Sequence, residues 1–194
     1  MKNTIKITLL VAVVLLAGSC TRKVTRVSPD QTIDLSGRWN DTDSREVANA
    51  MIEQALGESW LENFRQQTGE KPVVIVGLVL NKSHEHISAE TFIKDLERAF
   101  IKSGRVRLVQ AGDKREELRG ERADQQDFAS KATMKKWGQE LGADYMLQGT
   151  INSIVDSYKK EKVIYYQVDL ELSNLETNEI VWIGDKKIKK YVKN

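Results

Sequence analysis

The chain has one cysteine, two histidines and two prolines among 194 residues, and each shortage closes off a class of chemistry. A single cysteine forms no internal disulfide, so the fold must rest on its core even in an oxidising compartment. The nearest approach to a metal site is His84-Glu85-His86, placed after a strand-like run. A closed zinc site takes about four ligands, and more distant carboxylates would have to complete this one. The triplet therefore reads as an exposed loop, with no metal or other cofactor expected. Also missing are a G-x-S-x-G elbow, a phosphate loop and a dinucleotide fingerprint. Paired acids such as Asp95 and Glu97 are ordinary on helices and carry no sign of glycosidase chemistry. These absences argue against an enzyme and against a small-molecule substrate. No apolar run reaches the roughly 20 residues of a membrane-spanning helix.

What is present begins at the amino terminus. Lys2 and Lys6 flank a basic segment, Ile7–Ala17 is apolar, and Ala17-Gly18-Ser19 are small residues leading to Cys20. This is the pattern of a lipoprotein signal, with residues 1–19 removed and Cys20 acylated. Ala17 stands where such signals usually carry leucine. Each buried lipid methylene contributes about 0.8 kcal/mol, so acyl chains alone hold a protein on a membrane. Thr21 rather than aspartate follows the cysteine, which by resemblance to Gram-negative lipoprotein sorting implies the outer membrane. Arg22 and Lys23 lack the acidity linked to surface export, so the periplasmic face is expected. Losing Lys2 and Lys6 from 30 basic residues leaves 28, equal to the 28 acidic ones. A chain so balanced gives no electrostatic case for a nucleic-acid partner.

Residues 20–37 are polar with a Ser-Pro-Asp turn signal and read as a lipidated end and flexible tether. Thr21–Gly37 spans about 58 Å fully extended, or roughly 23 Å as a coil. Residues 38–194 then form one domain. Asp43 with Glu46 has the spacing of a helix N-cap pair, ahead of the apolar stripe Val47, Met51 and Ala55; Ser59 with Glu62 opens a second helix carrying Trp60, Leu61 and Phe64. Val73–Leu80 is almost continuously apolar and β-branched, as in a strand buried on both faces. Ser88 caps a helix with Phe92, Leu96, Ala99 and Phe100 inward, closed by Gly104, and Val106–Gln110 is the next, parallel strand. Ala132, Met134, Trp137 and Leu141 keep helical spacing up to Gly142, which sits where a left-handed cap is wanted. Thr150–Tyr158 and Val163–Leu175 make a hairpin, and Ile180–Val192 ends in lysines that protect a sheet edge or attract anionic lipid. The expected fold is a single α/β domain, three-layer-like, with a mixed β-sheet flanked by helices.

Asp113–Phe128 is the most charged stretch, with Leu118 and Phe128 as its few apolar anchors. It is either a solvated helix and loop laced with charge pairs or a partner-facing surface on a rigid fold. The candidate partner-binding residues are Arg115, Arg119, Arg122, Asp124, Gln125 and Phe128.

The segments "PVVIVGLVLN" at 72–81, "GADYMLQGTI" at 142–151 and "NLETNEIVWIG" at 174–184 resemble the penicillin-binding protein activator LpoB family. That family is similar in fold to the TolB N-terminal domain and the periplasmic part of CsgG. The resemblance covers about Trp39 to Lys190. It implies an outer-membrane lipoprotein that binds a bifunctional, class A penicillin-binding protein and stimulates peptidoglycan synthesis, with no catalytic group of its own. The tether is shorter and poorer in proline than in enteric relatives. A CsgG-like role would need lipid-facing alternation along the hairpin at 150–175, which Ser153–Val155 breaks. A structural lipoprotein binding another envelope protein stays open.

Overall fold

The computed structural model describes residues 23–29, 31–128 and 140–193. Cys20, Ala132, Met134 and Trp137 lie outside them. The chain divides into Met1–Gln31 and Thr32–Asn194. The described part of the first unit holds no helix or strand. Thr32–Gly37, read above as the end of the tether, belongs with the second.

The elements run α1 (Asp41–Gly57), α2 (Ser59–Thr68), β1 (Val73–Asn81), α3 (Ala89–Ser103), β2 (Arg107–Leu108), α4 (Gly112–Phe128), β3 (Tyr145–Tyr158), β4 (Glu161–Asn174) and β5 (Ile180–Lys193). The strands form one mixed sheet in the order β2-β1-β3-β4-β5. β1 is parallel to β2 and to β3, while β3, β4 and β5 are antiparallel neighbours. β3 and β4 pair without interruption from Tyr145–Asn174 to Tyr158–Glu161. At about 3.4 Å per residue, these strands extend well past β1.

The core lies on one face of the sheet. Val74, Val76 and Val79 of β1, Tyr145, Leu147 and Ile151 of β3, alternate residues Ile164 to Leu172 of β4 and Trp182 of β5 pack with the apolar stripes of α1, α2 and α3. Trp60 and Phe64 both meet the Tyr145 ring edge-on, at 4.9 and 5.8 Å between centroids. Such pairs add about 0.5–1.5 kcal/mol each beyond the area they bury. Among the described residues the opposite face of the sheet is only partly covered. β1 shows the consequence. Its first four residues are buried, but past a bulge between Val76 and Val79 the outward Leu78 and Leu80 are exposed.

The helix ends are set by local hydrogen bonds. α1 is capped one turn earlier than the spacing of Asp43 with Glu46 suggests. The Asn40 side chain accepts from the Asp43 N–H at 3.1 Å, and the Asp43 carboxylate accepts from the Asn40 N–H at 3.0 Å. α2 follows Glu58 with no side-chain cap, so Ser59 and Glu62 do not form the expected box. Ser88 does cap α3, accepting from the Thr91 N–H, and Gly104 closes it at φ 63. β2 is only two residues long.

Gly142 is not a left-handed cap. Its φ lies outside the positive region and a Cβ there would meet nothing within 4 Å. The corner is held instead by Asp144. Its N–H donates to the Val73 carbonyl at 2.8 Å, its carboxylate accepts the Val73 N–H at 2.7 Å, and its carbonyl accepts from Leu175 at 2.9 Å. The glycine that the sheet does require is Gly149, where a Cβ would fall 2.0 Å from the Asp169 carbonyl oxygen.

Candidate partner-binding surface

Helix α4 is built from strong helix formers, chiefly Glu, Arg, Leu, Ala and Gln, and none of its residues is buried. Leu118 and Phe128 do not anchor it, being 49% and 87% exposed. A helix that is polar all round holds together through side-chain pairs along its own surface, and α4 has these. Arg119 pairs with Glu116, and Gln125 donates to Glu121 at 3.0 Å.

The helix is tied to the start of the β3 segment by one acid. The Arg119 guanidinium donates through Nε and Nη2 to the two oxygens of Glu140, each at 3.0 Å, and Arg122 Nη2 donates to Glu140 Oε1. The two-pronged guanidinium–carboxylate match fixes direction as well as distance. Hydrogen bonds from Arg119, then Arg122, hold the Glu140 carboxyl down at about 2. Arg115 donates from Nε to the Gln110 carbonyl at 2.9 Å. Between them lies a notch of about 250 Å³ lined by Val109, Gln110, Arg115, Leu118, Arg122, Glu140 and Leu141. The structure thus places Arg115 and Arg122 in the lining of one notch, with Arg119 joined to it through Glu140. Asp124 and Phe128 are exposed elsewhere on the helix, and Gln125 is spent on Glu121.

The His84-Glu85-His86 loop is not simply exposed. The Glu85 side chain is only 11% accessible. It accepts from the Tyr166 hydroxyl at 2.7 Å and the Trp39 N–H at 3.1 Å, while His84 Nε2 lies 3.1 Å from its Oε1. Trp39 N–H also reaches the Tyr166 oxygen at 3.1 Å, and the Trp39 ring meets Tyr166 and Phe92 edge-on. His84 Nδ1 is 2.6 Å from the Ser153 hydroxyl. Burial, aided by Glu85, pushes the Tyr166 phenol far above its usual range, so it stays a donor. Glu85 therefore joins the start of the domain to β4 and does not face solvent as a ligand. Among the described residues no group of three His, Cys, Asp or Glu could hold a metal ion. Nothing in the spacing of 84–86 signals this role, because its partners lie 46 and 81 residues away.

A second tie closes the same end. Lys190 on β5 donates to Asp34 at 2.7 Å, to Asp43 at 2.6 Å and to the Arg38 carbonyl at 3.1 Å. Burial disfavours its charge, yet the hydrogen bonds to Asp34 and Asp43 prevail and raise its pKa. Gly37, at φ 69, lies against Val192, where any Cβ would sit 2.3 Å from Cγ2.

Among solved structures, the LpoB C-terminal domain from Salmonella enterica is similar at 18% identity, covering 76% of this chain and 99% of that one with a TM-score of 0.43. The LpoB C-terminal domain from Escherichia coli is similar at 18% identity, with the same coverage and a TM-score of 0.44. A lipoprotein from Neisseria meningitidis is similar at 16% identity over 62% of this chain and 83% of that one, with a TM-score of 0.41. The search of curated proteins gives no match. The family model described as peptidoglycan-synthase activator LpoB matches residues 43–188, from the first turn of α1 to the last third of β5, and the chain belongs to that family.

Proposed function

We propose that this protein is an outer-membrane lipoprotein, acylated at Cys20 and facing the periplasm, that binds a bifunctional class A penicillin-binding protein and stimulates peptidoglycan synthesis. The observation that carries the reading is the match of the synthase-activator family across residues 43–188. It acts by binding the active state of the synthase more tightly than the inactive one, since a ligand shifts an equilibrium only by its differential affinity. No group of its own takes part in bond making.

Helix α4 is the surface we assign to the partner. A 17-residue helix that contributes nothing buried is not kept by the core, and Arg115, Arg119 and Arg122 give it a fixed basic edge. Glu140 keeps two of the three guanidinium groups in place before any partner arrives, which lowers the ordering cost of binding. The purified synthase, assayed for glycan polymerisation with and without the protein, tests the activity. Arg115→Glu, Arg119→Glu and Arg122→Glu together test the surface.

A further inference from the structure

The far end of the β3–β4–β5 ribbon has a composition that the activator reading does not use. The hairpin turn is Lys159-Lys160, between Tyr158 and Glu161. Lys162 follows, and Lys193 pairs across from Glu161 on the neighbouring strand. Tyr158 and Tyr191 are 71% and 60% exposed. Lys193 meets Glu161 at 3.6 Å, and Lys159 lies over the Tyr158 ring at 5.1 Å. Among the described residues Lys160 and Lys162 have no ion pair. Asp156, one strand position further in, is the next acid.

The turn itself is unfavourable. Lys159 has φ 55, a left-handed conformation that glycine or asparagine adopts at much lower cost, and two-residue hairpins favour Asn-Gly or Asp-Gly. Backbone strain at an exposed position outside the core is a pointer to function.

We propose that this tip, Tyr158 to Lys162 with Lys193, docks on a surface of anionic phospholipid headgroups. Lysines near such a surface are each attracted to it, and tyrosines settle at the boundary between headgroups and acyl chains. A narrow hairpin end offers far less than the roughly 800 Å² per partner of a specific protein interface. Charge and aromatic chemistry thus favour lipid over protein. The chain geometry agrees. Gly37 packs on Val192, in the ladder row of Lys162 and Ser157, so this part of the amino-terminal segment lies within two ladder rows of the tip. Thr21–Gly37 spans at most about 58 Å and roughly 23 Å as a coil. Under the Cys20 lipidation reading, that span lets the tip reach the membrane holding the anchor.

The test removes the anchor, so that its outcome does not depend on lipidation. The chain from Thr21, which keeps all of the compact unit Thr32–Asn194, is mixed with vesicles of phosphatidylcholine alone or of equal parts phosphatidylcholine and phosphatidylglycerol. Binding is read by flotation. The expected result is binding to the anionic vesicles only, weakened roughly 30-fold by Lys159→Gln with Lys160→Gln and unaffected by Arg115→Gln with Arg119→Gln on α4. Both lysines are exposed in a turn, so the variant folds. Equal binding to neutral vesicles, no loss in the lysine variant, or the same loss in the arginine variant would overturn the proposal.

Discussion

Replacing Tyr166 by phenylalanine removes one oxygen from a fully buried ring and leaves its packing in place. That oxygen donates to Glu85 at 2.7 Å and accepts from the Trp39 N–H at 3.1 Å. The Trp39 N–H keeps Glu85 as a partner, so the net loss is one hydrogen bond to a charged, nearly inaccessible carboxylate. Bonds of that kind contribute about 1.5–3 kcal/mol. For a domain of this size each kcal/mol moves the melting temperature by about 2–4 °C, so a fall of about 3–12 °C is expected. Urea unfolding should show a lower midpoint with an unchanged slope, because the buried surface is the same. Glu85→Gln keeps an acceptor and should cost less. In a cycle with Glu85→Ala, Tyr166→Phe should show a coupling of at least about 1 kcal/mol. A change within about 0.5 kcal/mol, the range of an ordinary surface substitution, would refute the view that Glu85 and Tyr166 join the entry segment to the sheet.

The other predictions concern the sheet, the α4 tie and the anchor. Gly149→Ala drives a methyl into the Asp169 backbone and should cost several kcal/mol, about the upper range of single substitutions, whereas Gly142→Ala should leave thermal unfolding unchanged. The Glu140 carboxyl resonance should titrate at about pH 2. Because that pKa is depressed, the α4 tie is present above the ordinary carboxylate range and is lost only as pH falls through about 2, and a midpoint near 4.5 would show the Arg119 contact absent in solution. Cys20→Ala should abolish incorporation of labelled fatty acid, and label retained by that variant would refute the lipid assignment. Charge reversal at Arg115, Arg119 and Arg122 should weaken synthase binding and its salt dependence while leaving unfolding nearly unaltered, since exposed pairs each contribute about 0–1 kcal/mol.

The sequence is most readable where one residue answers to one local rule. Ser88 and Gly104 bracket α3, the alternation of Val168, Leu170 and Leu172 with polar residues gives the buried face of β4, and the lysines of β5 mark an edge. It misleads where two residues satisfy the same rule. Asn40–Asp43 and Asp43–Glu46 have equal spacing, and the structure uses the first, in which Asp43 is also engaged by Lys190 from β5. Gly142 has the right neighbours for a cap, but the turn is fixed by Asp144, whose partners are on β1 and after β4. Val73–Leu80 looks buried throughout, yet burial depends on whether a second layer exists over Leu78 and Leu80. In the candidate surface the three arginines were visible as charge. The meeting of Arg119 and Arg122 at Glu140 was not, because Glu140 stands 21 residues from Arg119 and 18 from Arg122.

The central claim is activation of wall synthesis, and the direct measurement is the rate of glycan polymerisation by a purified class A synthase from the same cell, titrated with the protein. The account predicts a rate that rises and saturates with added protein, with the triple arginine reversal shifting the curve to higher concentration. No rise with any class A synthase of that cell, at concentrations that saturate binding, would contradict it.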